Sequence, residues 1–267
     1  MDLKLKGRRA LVTGGSRGIG KAIASALAAE GVDVALLARK QDVLDATAAE
    51  IAAASGVKVV GVVANTASDD EVKRAVAQAV AALGGGIDIL VNAAAEPAGY
   101  AAPPKLADIT GDFFQRELDV KVMGYVRTSR EVVDHMTTQG WGRIVNISGL
   151  AARQTGNAVG SMRNASVAAL TKNLADELGP SGINVNVVHP GVTRTERTAD
   201  LVAAMATKEG VAAETVEKRM AEANSIRHLV DASEIASIVA FLASPLSVAI
   251  NGEAIAAGGG TPKSIYY

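Results

Sequence analysis

Seven short apolar runs, most of them rich in β-branched residues, alternate along this chain with Ala-rich amphipathic stretches. That alternation restricts the fold more than any other feature. The runs are RALVTG (9–14), DVALLAR (33–39), VKVVGVVA (57–64), IDILVNA (87–93), GRIVNIS (142–148), INVNVVH (183–189) and EAIAAGG (253–259). Helical patterns fill the intervals at 18–30, 41–55, 68–83, 112–138, 158–178 and 232–243. Strands alternating with helices build βαβ units around a parallel sheet. Runs that are apolar throughout need cover on both sheet faces. No linker or internal repeat interrupts the 267 residues, so one doubly wound α/β domain over 1–267 is expected. The least regular part is 192–230, polar at TRTERTAD and leading into a short helix. It follows a strand end, which in a doubly wound sheet lies beside the ligand crevice and makes it the expected substrate-loop region.

Aromatic residues are only 3% of the chain, so its core must be built from Ala, Val, Leu and Ile. The formal net charge is −1, and the basic residues form no stripe interleaved with aromatics, which excludes general nucleic-acid binding. The absence of cysteine excludes disulfides and thiolate metal sites. His135, His189 and His228 are scattered without ligand spacing, so no metal site is expected. The start, MDLKLKGRRA, is charged and lacks the apolar core of a secretory signal. No apolar run reaches membrane-spanning length. A cytoplasmic protein with no membrane partner is the expectation.

The stretch ALVTGGSRGIGKAIASALAAEG (10–31) reads as strand, glycine-rich turn and helix. Gly14, Gly18 and Gly20 follow G-x-x-x-G-x-G spacing. Such a turn lets backbone approach a diphosphate at a helix N-terminus, where free N–H groups and the helix dipole favour anions. The next strand ends in LLARK, with Arg39 and Lys40 where an NAD site tends to carry an acidic residue for the ribose hydroxyl. Arg17 lies inside the turn. Two arginines near the adenosine ribose suit a 2′-phosphate, so NADP is expected, with NADPH preferred over NADH.

These pieces form an ordered set that resembles the short-chain dehydrogenase/reductase family over almost the whole chain. The set is TGGSRGIG (13–20), VNAAA (91–95), VNIS (145–148), LTKNLADELGPSGINVNVVHPGVTRT (170–195), FLASP (241–245) and NGEAIAAGGG (251–260). The resemblance implies strand order 3-2-1-4-5-6-7 and hydride transfer to or from a small carbonyl or alcohol. It also implies a homodimer or homotetramer built across the helices at 112–138 and 158–178. Cofactor contacts then fall on Gly14, Ser16, Arg17, Gly18, Ile19 and Gly20 in the turn, and on Arg39 after the second strand. Asn65 and Thr66 are expected near the adenine, with Asn92, Ala93 and Ala94 after the fourth strand. Pro190, Gly191, Val192, Thr193 and Thr195 complete the set after the sixth.

The catalytic set departs from the family pattern. There a serine binds the substrate oxygen and a tyrosine gives the proton. A lysine four residues on lowers the tyrosine's pKa, and an asparagine on the preceding long helix anchors a water. Aligned on AALTKNLADELGP (168–180), the tyrosine place reads Gly160 and the lysine place Asn164. The asparagine place, in LDVKVMGYV (118–126), reads Lys121. Lysine and asparagine have traded positions, which predicts that Lys121 supplies the ammonium with Asn164 as its hydrogen-bonding partner. Ser148 is either the family serine or its neighbour. Ser161 could take the place of Gly160 if the local register slips. Tyr100 lies in the loop that lines the substrate pocket in the family. Tyr125 and His189 are further protic side chains, each with a packing role as the alternative. The candidate set is Ser148, Lys121, Asn164, Ser161 and Tyr100. Two other classes stay open: a nucleotide-binding protein without turnover, and a non-redox enzyme on the same scaffold.

Overall fold

The computed structural model describes residues 1–95 and 103–262. Its sheet strands are β1 (Arg9–Thr13), β2 (Asp33–Ala38), β3 (Val59–Val63), β4 (Ile89–Asn92), β5 (Gly142–Ile147), β6 (Ile183–Pro190) and, last in the chain, β9 (Ala254–Ala257). All neighbours pair in parallel, in the order β3-β2-β1-β4-β5-β6-β9. This is a single Rossmann-like α/β domain with the expected strand order. The final strand is ninth because two two-residue strands intervene, β7 (Thr193–Arg194) and β8 (Val230–Asp231), which pair only with each other.

The apolar runs form strands because the sheet is covered on both faces. Every residue of β5 and β6 is buried. Along β1 the side chains alternate between two cores, Ala10 and Val12 into one and Leu11 into the other. The first core is closed by α1 (Gly18–Ala29), α2 (Gln41–Ser55) and α9 (Ala232–Leu242), through Ile23, Leu27, Leu44, Ile235 and Val239. The second is closed by α3 (Asp69–Leu83), α5 (Gly124–Gln139) and α6 (Ala158–Leu178), through Val72, Val76, Val132, Met136 and Leu178. The order in which strands are added to the sheet reverses between β1 and β4, which places a crevice at the carboxyl ends of those two parallel strands.

Two expectations need correction. The helical pattern at 112–138 is not one α-helix. It comprises α4 (Gly111–Leu118), a π-helical turn (Asp119–Met123) and α5. Residues 192–230 carry two helices rather than one short one, α7 (Thr198–Glu209) and α8 (Ala213–Glu222). These two pack on each other through Val202, Ala206 and Val216, a small cluster that their own apolar stripes build.

Candidate functional site

The crevice holds a cavity of about 550 Å³. Its floor is the glycine turn between β1 and α1. Gly14 has φ +67°, and a Cβ there would lie 2.9 Å from the Ala93 carbonyl oxygen. A Cβ on Gly20 would lie 2.3 Å from the Gly14 carbonyl oxygen. Both positions therefore need glycine, and what they create is bare backbone facing the cavity. Thr13 Oγ1 accepts from Ala93 N at 3.0 Å and Ala94 N at 3.1 Å, fixing the chain after β4 against the turn. Ser16, Arg17, Gly18, Ile19, Arg39, Asn65, Thr66, Ala93, Ala94 and Thr195 also line this cavity. The turn and the two arginines that line the cavity with it, Arg17 and Arg39, fit a dinucleotide carrying a phosphate on its ribose: backbone donors for the diphosphate and guanidinium groups for the added phosphate share one cavity.

The other predicted positions lie elsewhere. Asn92 is fully buried. Its Oδ1 accepts from Thr128 Oγ1 at 2.7 Å, and its Nδ2 donates to Asn146 Oδ1 at 2.9 Å. It belongs to a polar chain beneath the site that continues to Thr171 on α6. Pro190, Gly191, Val192 and Thr193 do not line the cavity: Gly191 packs against Gly258, and Thr193 Oγ1 donates to the Gly191 carbonyl.

At its far end the cavity is lined by Val120, Lys121, Ile147 and Ser148. Lys121 sits on the π-turn, where one extra residue per turn frees carbonyls from the helical ladder. Those carbonyls find outside partners. Val120 O accepts from Thr66 Oγ1 at 2.9 Å, and Asp119 O accepts from Arg127 Nη1 at 3.1 Å. Arg127 also reaches the Thr66 carbonyl and the Asp69 and Asp119 carboxylates, pinning the turn to the loop after β3. Gly124 permits the close approach, since a Cβ there would meet the Thr66 Cβ at 2.9 Å.

The π-turn aims the Lys121 side chain inward, where it is 5% exposed. Nζ donates to Asn164 Oδ1 at 2.9 Å and to the Ser148 carbonyl at 3.1 Å. Burial, reinforced by the Arg163 guanidinium, lowers its pKa to about 7; Glu117 acts in the opposite sense. Ser148 Oγ donates to the Asn164 carbonyl at 3.0 Å. Thus Lys121, Ser148 and Asn164 form one hydrogen-bonded group bridging the π-turn, the end of β5 and α6.

Ser161 is not part of that group, because its hydroxyl donates back to the Gln154 carbonyl at 2.7 Å. Asn157 caps α6 by accepting from Gly160 N at 2.9 Å, and a Cβ at Gly160 would lie 2.7 Å from the Asn157 amide. Tyr100 lies outside the described residues. Tyr125 is buried and donates to the Ile147 carbonyl at 2.8 Å, with burial pushing its hydroxyl well above the ordinary phenol range. Among the described residues no tyrosine lines the cavity. His189 is buried, accepts from Gly149 N at Nδ1 (3.4 Å), and its pKa falls to about 4 through burial and the nearby Arg153. It is therefore neutral near pH 7 and has no acidic proton to give.

Sequence reasoning missed two further features. His228, Asp231 and Glu234 come together with ligand atoms within 4.8 Å of one another. Their polar atoms already serve the α9 capping box, a His228–Glu234 contact at 2.8 Å and an Arg194–Asp231 ion pair. Spacing alone hides this group, because the three residues span the end of a loop and the first turn of a helix. The second is Glu196, which lines the cavity and whose carboxylate accepts from Gly18 N. It directly follows Thr195, but nothing local in the sequence directs it to a turn 178 residues earlier.

Residues 14–261 match the family described as Enoyl-(Acyl carrier protein) reductase. The chain is 36% identical over 254 residues to the short-chain reductase protein NovJ of Streptomyces niveus, covering 95% of this chain and 93% of that one. This chain is a short-chain dehydrogenase/reductase. It is an oxidoreductase of that family. It is also 35% identical over 264 residues to the 3-oxoacyl-[acyl-carrier-protein] reductase FabG of Aquifex aeolicus, covering 97% of this chain and 99% of that one. A crystal structure of L-sorbose reductase from Gluconobacter frateurii, complexed with NADPH and L-sorbose, superposes with TM-score 0.91 at 28% identity. The match covers 99% of this short-chain dehydrogenase/reductase and 100% of that enzyme.

Proposed function

We propose that this short-chain dehydrogenase/reductase is an NADP(H)-dependent oxidoreductase of a small carbonyl or alcohol, with Lys121 and Asn164 replacing the family's tyrosine–lysine pair. The observation that carries the reading is the Lys121–Asn164 contact at 2.9 Å beside the cavity that the glycine turn floors. NADPH, when bound, supplies the hydride. Arg17 and Arg39 select the 2′-phosphate, and the turn holds the diphosphate.

An ammonium has three N–H donors. Asn164 and the Ser148 carbonyl take two from Lys121, leaving the third for the cavity. With its pKa near 7, Lys121 can give that proton to a carbonyl oxygen as negative charge builds there, and recover it from solvent. Ser148 Oγ already commits its proton to the Asn164 carbonyl, so its lone pairs orient the ammonium or a hydroxyl rather than protonate the product. We also infer that the protein works as a homo-oligomer.

Calorimetric titration with NADPH and NADH tests the cofactor assignment. Tight NADPH and weak NADH binding is expected, and failure of both removes it. A carbonyl panel with NADPH then tests chemistry. Lys121→Ala should cut turnover by about 10²–10⁴-fold, the range of a lost general acid. In the wild type, carbonyl reduction should fall as pH rises through about 7, because the acidic form of Lys121 is being lost. Unchanged turnover in Lys121→Ala removes Lys121 from the mechanism. NADPH binding without turnover on any carbonyl favours a silent nucleotide-binding role.

A further inference from the structure

The N-terminus of α1 has neither a side-chain cap from Arg17 nor an acidic residue in its first turn. Its first N–H is nonetheless occupied. Both oxygens of the Glu196 carboxylate accept from Gly18 N, at 2.9 and 3.1 Å. A carboxylate there satisfies an orphan donor and the positive end of the helix dipole. The same N–H lies at the point where a glycine turn seats a diphosphate. Two anions cannot share it.

The surroundings give the carboxylate somewhere to go. Glu196 stands in the wall between the 550 Å³ cavity and a second of about 430 Å³ behind the turn. The second cavity is lined by Lys21, Arg194 and Asp231 among others. Lys21 is ion-paired with Glu50, and Arg194 with Glu217 and Asp231, so a carboxylate turning in would join an existing charge network that holds two cations. The backbone beneath Glu196 is anchored. Thr195 N donates to Thr198 Oγ1 at 2.9 Å, Thr198 N donates to Thr195 O at 3.0 Å, and the β7–β8 pair holds the segment just before it. With the backbone held there, clearing the seat calls for rotation of the Glu196 side chain rather than movement of α7.

We propose that Glu196 sets cofactor affinity by competing with the diphosphate for the Gly18 N–H, and that binding turns its carboxylate into the second cavity. This rests on the NADP(H) reading. Glu196 thus weakens every ligand that carries a diphosphate and leaves untouched those that do not.

The experiment is equilibrium binding of NADPH, NADH and adenosine 2′-monophosphate to wild type, Glu196→Ala and Glu196→Gln, with a thermal melt of each. Glu196→Ala should tighten NADPH and NADH alike, about tenfold, and Glu196→Gln less, since it keeps an acceptor but not the charge. Adenosine 2′-monophosphate, which has no diphosphate, should bind all three proteins equally. Equal or weaker NADPH binding by both folded variants overturns the competition. So does an equal gain for adenosine 2′-monophosphate, which would indicate only a general charge effect. If neither wild type nor variants bind NADPH, the cofactor reading itself fails and takes this proposal with it.

Discussion

A buried lysine costs a protein stability unless its charge is useful, and Lys121 makes that cost measurable. In the unfolded chain it holds its proton up to about pH 10.5, and in the folded chain only up to about 7. Between those values the unfolded state binds more protons, so stability rises with pH across that window and is flat for this group outside it. Lys121→Met removes the slope. The unfolding free-energy difference between wild type and Lys121→Met, followed by thermal melts, should therefore move in the wild type's favour between pH 7 and 10, by on the order of a few kcal/mol. Parallel melting profiles would show that Lys121 keeps an ordinary pKa. The second residue-scale test is Arg39, which lines the cavity beside the glycine turn. Arg39→Asp should weaken NADPH about 10- to 100-fold and leave NADH within a fewfold, because only the 2′-phosphate loses its cation. Equal losses for both cofactors would assign Arg39 to the shared part of the ligand instead.

Lys121 and Asn164 stand on different elements, the π-turn and α6, so their partnership can be tested as an exchange. Lys121→Asn alone leaves two amides and no ammonium. Asn164→Lys alone buries two ammonium groups at one contact, a repulsion with no carboxylate between them. The double variant restores one of each. Each single change should lower Tm or turnover markedly, the lysine pair most, and the double should recover much of the Tm, with a coupling of about 1–3 kcal/mol. Additive losses would mean that the two side chains do not act together. The sequence foresaw this pair because lysine and asparagine sit at reciprocal places in an otherwise regular pattern. It also made the glycine turn and the seven sheet strands legible, since β-branched runs and glycine spacing are local signals. It did not reveal the π-turn, because a single inserted residue leaves a helical pattern almost unchanged. Nor did it reveal that Asn92 and Ser161 turn away from the cavity. Those directions are set by Thr128 and Asn146 in one case and by Gln154 in the other, partners that only the fold brings close.

At the scale of the whole molecule, the site is assembled where the strand order of the sheet reverses, and its two ends answer to different parts of the chain. The glycine turn depends on β1 and α1, which are closed by α9 from behind. The lysine end depends on α4, α5 and α6, the helices across which oligomers of this family are expected to form. Met123 on the π-turn and Met162 on α6 are 40% and 45% exposed, large apolar side chains on that same group of elements. On the proposed homo-oligomer the wild type should sediment as a multiple of 27.2 kDa, and Met162→Glu, which puts a charge on the helices proposed to meet, should shift it toward the monomer. Breaking the assembly should not change the chemistry in one respect. Lys121 is already 5% exposed within a single chain, shielded by its own β5 and α6, so its pKa does not need a neighbour. Met162→Glu should therefore lower mass and stability while the pH midpoint of carbonyl reduction stays near 7. If the midpoint instead moved upward as the protein dissociated, the low dielectric around Lys121 would belong to the oligomer. The catalytic unit would then be more than one chain.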